Sequence, residues 1–471
     1  MSLAYRQAGY ELGMKEQKQE RKKKFSFYLK WIMKKFLKKL IWYEKIYNII
    51  KDSFIYQARK KLNGQIANLL YGYPSKHFFV IGVTWTNGKT TVVNLIHKIL
   101  NDNVAKTVMV STANIKIVNR NIPNEKKMTS LDIYDLQSIL AMAKGSGCKI
   151  AVLETSSHWL NQYRFEWIQF DFAVLTNITH DHLDYHWTRD KYIQAKEGLF
   201  KYVMNSKKSN KYAIFPMDDK IGRKWFDEMN FDKKLGFSIV SSSNLKAEEI
   251  YQSLTWTHFK FSYLWKTYEV KTKLLWKFNV YNILTALGVA LEIWVDMSLA
   301  IKSIENFDPV VWRMEHLQVN GIDCFVDFAH SPDALEKTLS YFVDIKWPGR
   351  LITVFGAPWN RDKLKRPIMW EIVSQYSDIM IATDDDPDTE NRFSILKQLT
   401  ENVKNKVEWK DFFIIPERTL AIKFAMEMAK PGDIVMFAGK WHETIQLTNF
   451  GKRPWSDKEE ILKSIKNYKI K

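Results

Sequence analysis

The amino-acid sequence predicts an α/β protein with mostly parallel sheets, and three observations carry that reading. Residues 79–91 read as a buried strand, a tight loop and the start of a helix. From about residue 76 onward, short apolar runs alternate with helical patterns, the signature of a parallel sheet with helices on its faces. Near residue 311 the alternation restarts, which predicts a second unit of the same class.

A chain of 471 residues implies two or three domains, and a 46% hydrophobic content is enough for real cores. Residues 1 to about 75 are expected to form a basic helical arm, with Lys15, Lys18, Arg21–Lys24, Lys34 and Lys35 supplying much of the net charge of +19. Within it, Phe25, Tyr28, Leu29, Ile32, Phe36, Leu40 and Tyr43 interleave at helical spacing with Lys30, Lys34, Lys38 and Lys39. Such a helix can lie in the plane of an anionic membrane or pack on its own protein with a solvated lysine face. No uncharged run approaches the ~20 residues that span a bilayer. The first apolar run is too late and too charged for a secretory signal.

Strands are predicted at 78–83, 107–111, 149–154, 171–176 and 212–215. Residues 235–275, with alternation such as Phe259-Lys260-Phe261-Ser262-Tyr263, predict a small antiparallel β insert. Asn279 to Val295 returns to helix. The second unit is given strands at 323–328, 351–355, 378–383 and 433–438. The expected division is therefore an arm (1–75), a central domain (76–310) and a C-terminal α/β domain of Rossmann-like type (311–471).

The loop Thr84-Trp85-Thr86-Asn87-Gly88-Lys89-Thr90-Thr91 places backbone N–H groups, a lysine and hydroxyls at a helix N-terminus. That arrangement cradles nucleotide phosphates and holds Mg²⁺, which makes the central domain a P-loop ATPase in type. The usual spacing would put glycine at 83, where this chain has Val83, so the loop is a variant. Glu154 ends a buried run, where such proteins hold Mg²⁺; its structural alternative is a helix cap. His180, Asp181, His182, Asp184 and His186 follow another strand, a density suited to metal and substrate binding. In the second unit, Phe355–Lys363, Asp384–Asp388 and Gly439–Glu443 all follow strands, where open α/β sheets bind ligands.

Taken together, T-N-G-K-T-T, E-T-S-S-H, T-N-I-T-H-D-H-L-D-Y-H, A-K-E-G-L-F, F-N-V-Y-N, R-M-E, D-F-A-H-S-P-D-A-L, N-R-D-K-L-K-R-P and G-K-W-H-E resemble the Mur ligase family over about residues 76–460. The resemblance implies an ATP-dependent ligase of peptidoglycan synthesis that makes an acyl phosphate and then an amide. It implies that Thr86, Asn87, Gly88, Lys89, Thr90 and Thr91 bind ATP, together with Asn282, Arg313 and Asp327. It further implies that Thr90, Glu154 and His182 serve Mg²⁺, and that Lys196 is a lysine carbamylated in the family. Thr129, Ser130, Ser156, Gln162 and Arg164 match contacts to a nucleotide-sugar peptide, and Arg361, Asp385, Asp388, Gly439 and Glu443 surround the incoming amino acid. A folylpolyglutamate synthetase-like ligase is the alternative within the superfamily, and a non-catalytic membrane-associated scaffold the alternative outside it.

Three departures stand out. The family's N-terminal uridine-nucleotide domain has no visible counterpart, the basic arm standing in its place. The family loop D-N-P-R, which selects diaminopimelate, reads Asp385-Asp386-Pro387-Asp388, which favours a cationic side chain such as that of lysine. Trp85, Trp159, Trp167, Trp187, Trp276, Trp294, Trp312, Trp359, Trp370 and Trp441 stand where the family usually has glycine. A swap of the smallest residue for the bulkiest, repeated this often, points to a UGA codon read as glycine and written here as tryptophan.

Two cysteines, Cys148 and Cys324, lie in apolar runs and read as inert core thiols, which gives no disulfide framework or zinc site. The expected setting is a reducing cytoplasm, with membrane association through the arm, a monomeric state and no nucleic-acid partner.

Overall fold

A computed structural model describes residues 54–84, 89–111, 114–123, 131–177, 188–308, 315–327, 329–345, 349–359, 365–388, 390–401, 406–440, 445–448 and 451–466. Most of the basic arm lies outside them.

The chain enters on helix α1 (Phe54–Leu70), then β1 (Phe79–Thr84) and α2 (Lys89–Asn103). Strands β2 (Thr107–Val110), β3 (Asn114–Ile117), β4 (Arg120–Pro123), β5 (Ile150–Glu154), β6 (Phe172–Leu175), β7 (Tyr212–Pro216), β8 (Lys233–Ser238), β9 (Leu245–Gln252), β10 (Thr257–Tyr263) and β11 (Lys266–Thr272) join β1 in one sheet. Its order is β11-β10-β9-β8-β7-β6-β1-β5-β2-β3-β4. The centre, from β8 to β2, is parallel. Both faces are covered there, so β2, β5 and β6 are buried along their whole length, as their continuous apolar runs require.

The antiparallel insert expected over 235–275 is the outer part of this same sheet. β8 pairs parallel with β7 and β9, and within the insert the antiparallel pairings are β9–β10 and β10–β11. On β10 buried and half-buried positions alternate, because one face packs on the core and the other meets solvent. The β3–β4 hairpin at the opposite edge was not foreseen.

Helix α2 buries Val92, Val93, Leu95, Ile96, Ile99 and Leu100, a stripe wide enough to seat it between the sheet and a later helix. Each such side chain contributes on the order of 1.5–3 kcal/mol. Helix α3 (Arg189–Met204) lies on β1 itself, because Gly82 leaves room: a Cβ there would run into Leu199 and Phe170. Helix α4 (Lys277–Glu292) packs against α2 and is buried over most of its length.

The second sheet contains β12 (Glu315–Val319), β13 (Ile322–Asp327), β14 (Leu351–Phe355), β15 (Ile379–Ala382), β16 (Phe412–Ile414) and β17 (Ile434–Ala438), in the order β12-β13-β17-β14-β15-β16. All pairings except β12–β13 are parallel. Helices α5 (Pro332–Ile345), α6 (Lys365–Tyr376), α7 (Arg418–Met428) and α8 (Asp457–Lys466) complete the layers. The two units touch where Trp276 meets Tyr341 edge-on, and the Tyr341 hydroxyl donates to the carbonyl of Ser253 at 2.9 Å. Cys148 and Cys324 are both buried and unpaired with each other, and burial pushes the Cys324 thiol up to about 12.

Candidate functional site

Three strand ends meet at the centre of the first sheet. Val83 of β1 stands opposite Glu154 of β5, and Thr84 stands opposite Leu175 of β6. The amide and hydroxyl of Thr155 both donate to the Val83 carbonyl, at 2.8 and 3.0 Å, locking the β5 end to the β1 end. Glu154 is 1% exposed, and Thr90 and Thr91 are buried in the first turn of α2. The hydroxyls of Thr84 and Thr176 and the side-chain oxygen of Asn177 are buried with no hydrogen-bond partner. Buried polar atoms are rarely left so without a ligand. Oxygen donors of this kind, with a carboxylate beside them, suit a hard cation such as Mg²⁺.

Lys196 projects from α3, is 1% exposed, and holds its ammonium 4.7 Å from the centre of the Tyr192 ring. Asn282 on α4 donates to Asn279 at 2.7 Å, and Asn279 donates to the Leu275 carbonyl at 2.6 Å, a buried amide chain on the helix that packs against α2. Ser156 caps the helix Ser157–Asn161, accepting from the Trp159 amide at 3.3 Å. Arg164 grips Gln162 through Nε and Nη2 at 2.9 and 2.6 Å, and its Nη1 reaches the Leu131 carbonyl at 2.7 Å. Leu131 directly follows Thr129 and Ser130, which lie outside the described residues.

A second group of strand ends closes the other sheet. Asp327 ends β13 opposite Ala438, accepts from the Ala329 amide at 2.9 Å, and receives the Gly439 amide on its carbonyl at 3.1 Å. Gly439 has φ 101, and a Cβ there would sit 3.2 Å from the Asp385 carboxylate. Lys440, buried, donates to Asp386 at 2.5 Å and stands 3.9 Å from Asp385. Asp385 is buried, which pushes its carboxyl up. Asp384 is raised to about 6, chiefly by burial, against the opposing pull of its ion pair with Arg392. Asp388 is half-buried with φ 38, outside this charge cluster.

Several contributors were not singled out as site residues from the sequence, although Lys365 and Arg366 lie within the motif N-R-D-K-L-K-R-P. Arg418 is 0% exposed and holds Asp457 with two bonds of 2.6 and 2.8 Å, the Ala438 carbonyl at 3.1 Å and the Asp384 carbonyl at 3.3 Å. It ties the ends of β15 and β17 to α8. The signal was available, since Arg418 falls in phase with the buried Ala421, Ile422 and Ala425. Arg366 forks onto Glu390 at 3.0 Å twice, and Lys365 donates to the His330 carbonyl at 2.9 Å, linking N-R-D-K-L-K-R-P to D-F-A-H-S-P-D-A-L.

Thr86, Asn87, Gly88, His182, Arg313, Arg361 and Glu443 lie outside the described residues, as does the Lys89 side chain. Among the described residues no three His, Cys, Asp or Glu side chains cluster as a metal site.

Two family models match the chain: Mur ligase middle domain over residues 83–290, and Mur ligase, glutamate ligase domain over residues 312–441. A UDP-N-acetylmuramoyl-L-alanyl-D-glutamate--2,6-diaminopimelate ligase of Fusobacterium nucleatum is 34% identical over 88% of this chain and 82% of its own. The chain belongs to the Mur ligase family. A UDP-N-acetylmuramyl-tripeptide synthetase of Roseiflexus sp. is 31% identical over 85% of the ligase and 81% of its own length. A solved 2,6-diaminopimelate ligase of the same description as the first relative superposes with a TM-score of 0.66 at 28% identity, covering 87% of this chain and 84% of that one. The protein is thus an ATP-dependent acid–amino-acid ligase, and its α/β architecture is the family's. No helix among the described residues of this ligase is long and apolar enough to cross a membrane.

Proposed function

We propose that this Mur ligase activates a carboxylate of a UDP-N-acetylmuramoyl-peptide as an acyl phosphate at the expense of ATP, and joins an amino acid to it as an amide. The meeting of the β1, β5 and β6 ends, with Glu154 one strand from the T-N-G-K-T-T loop, carries the reading. Lys89, Thr86, Asn87, Gly88, Thr90 and Thr91 bind the phosphates, with Asn282, Arg313 and Asp327 toward the rest of ATP. Mg²⁺ would be held by Thr90, Glu154 and His182, where it neutralises developing phosphate charge. Lys196, carbamylated, adds an anionic oxygen donor. Ser156, Gln162, Arg164, Thr129 and Ser130 hold the acceptor, and Arg361, Asp385, Gly439 and Glu443 frame the amino acid.

Asp388 lies outside the Lys440–Asp385–Asp386 cluster, and it is the residue that sets the amino-acid preference. A carboxylate there pairs with an ammonium rather than with the second carboxylate of diaminopimelate. The Fusobacterium nucleatum relative's name specifies diaminopimelate, and on this reading the present chain takes a different amino acid.

The domains divide as an arm (1–75), a central domain (76–310) and a C-terminal domain (311–471), working in the cytoplasm as a monomer. The arm meets anionic membrane. Leu62, Ile66, Leu69 and Leu70 make an exposed apolar stripe on α1 beside Arg59 and Lys61, which supports that reading. Sedimentation of the full chain with anionic but not neutral vesicles tests it, and equal recovery with both refutes it.

The central test is ADP release with UDP-N-acetylmuramoyl-L-alanyl-D-glutamate, ATP and Mg²⁺, offering lysine and diaminopimelate separately. Acceptor-dependent ADP with lysine preferred is expected, with a loss of at least about 10²-fold on Glu154→Gln. No acceptor dependence refutes the acceptor assignment, and a preference for diaminopimelate refutes the role of Asp388.

A further inference from the structure

Eleven non-glycine residues among the described ones have φ in the left-handed region, and four of them are tryptophans: Trp167 (φ 70), Trp276 (φ 72), Trp294 (φ 64) and Trp409 (φ 64). Asparagine and aspartate are the residues normally enriched there, and for a bulky side chain such a φ is an outlier. They fall in three local settings (a helix end, a helix start and two hydrogen-bonded turns), so no single motif explains all four.

Trp294 closes α4. Its amide donates to the Leu291 carbonyl at 3.1 Å and the next amide, Val295, reaches back to Ala290 at 2.9 Å. This is the paired bonding of a Schellman end, whose left-handed residue is characteristically glycine. Trp276 precedes the same helix with φ 72 and ψ 146, near a backbone region that glycine alone occupies comfortably. Its indole N–H is buried with no partner. Trp409 is the third residue of a Val407–Lys410 turn closed by the Lys410 amide on the Val407 carbonyl at 3.2 Å, the position where positive φ calls for glycine. Trp167 is likewise the third residue of a turn, Phe165–Ile168, closed by the Ile168 amide on the Phe165 carbonyl at 3.0 Å.

Exposure points the same way. Trp294 is 83% exposed and Trp409 is 72% exposed, in a residue type that is highly buried on average. Trp455 is the contrast: it is 7% exposed, donates to Asp457 at 2.8 Å and carries the Arg453 guanidinium 4.5 Å over its ring.

We infer that the working protein carries glycine at 167, 276, 294 and 409, the codon there being read as glycine by the cell that makes it, and tryptophan at 455. Three of the four also stand at family glycine positions; Trp409 is covered by no motif and is assigned by backbone alone. Trp159 and Trp370 have no left-handed φ, and their indoles pack in the core. The same decoding applied to position 85 would give the phosphate loop the sequence T-G-T-N-G-K-T-T.

The test is the peptide masses of the protein isolated from its own cell. Glycine residue masses at 167, 276, 294 and 409 with a tryptophan mass at 455 are expected, and a tryptophan mass at any of the four overturns the assignment. A second test uses the chain produced with tryptophan throughout. Trp294→Gly and Trp409→Gly should each raise Tm while Trp455→Gly lowers it, and a fall in Tm for both of the first two overturns the inference. Neither readout depends on ligase activity.

Discussion

Removing the Asp457 carboxylate should destabilise the C-terminal unit more than any surface ion pair could. In Asp457→Asn, Arg418 keeps the Ala438 and Asp384 carbonyls but loses the charge partner of its two shortest bonds while remaining 0% exposed. Breaking a buried pair from one side costs about 3–5 kcal/mol, because the remaining charge is left desolvated. The Trp455 N–H and the Arg418 Nε both bond Oδ1, an acceptor that asparagine retains, so the loss comes from the missing charge and from the Nη2 bond to Oδ2. The double variant Arg418→Met/Asp457→Leu removes both charges and should recover most of the stability. Urea unfolding of the three chains at constant m-value measures this. The amino-acid KM should rise in the single variant, since the ends of β15 and β17 carry Asp384, Asp385 and Gly439. A single-variant cost below about 1 kcal/mol, or a double variant no better than the single, would refute the reasoning.

His97 on α2 is pushed down to about 4, chiefly by burial and then by Lys116, with its Nε2 unpartnered. Unfolding therefore takes up a proton between pH 6.5 and 4, so stability falls as pH drops through that window, by up to about 3 kcal/mol. Asp384, raised to about 6, works in the opposite direction over the same range, so the quantity to measure is the difference in pH slope between the parent and His97→Leu. Identical slopes would sink the assignment. Gly82→Ala drives a Cβ into Leu199 and Phe170, an overpacking cost of about 1–3 kcal/mol that should lift α3 and Lys196 off β1. Turnover should fall further than stability, and an unchanged kcat would show that the seat of α3 does not matter.

The parallel centre of each sheet was legible because a strand buried on both faces must be apolar throughout, as in Ile150–Leu153 or Ile434–Ala438. The β3–β4 hairpin escaped notice because its arms are four residues each and mix Ile115, Ile117 and Ile122 with polar neighbours. The antiparallel outer strands were read as such, but period alone does not say whether alternating strands make their own sheet or extend another. At the site, motif residues were found at strand ends, while Arg418, Asp457, Arg366 and Glu390 were missed, since their partners lie 24 to 39 residues away. The unpartnered oxygens of Thr84, Thr176 and Asn177 could only emerge once β1 and β6 were side by side.

The position of β1 has a consequence for how the chain assembles. It comes first in the sheet by sequence, yet both its neighbours are contributed by residues 150–175, some 70 to 90 positions later. Closing such loops is slow, so the end of β1 that leads into T-N-G-K-T-T stands without strand partners until β5 and β6 have arrived. Nucleotide can then recognise only chains whose sheet centre is already complete. ATP at 100 times its Kd would stabilise those chains by about 2.7 kcal/mol and leave the incomplete ones untouched. The substrate thus acts on the folding equilibrium as a late-stage selector of finished molecules.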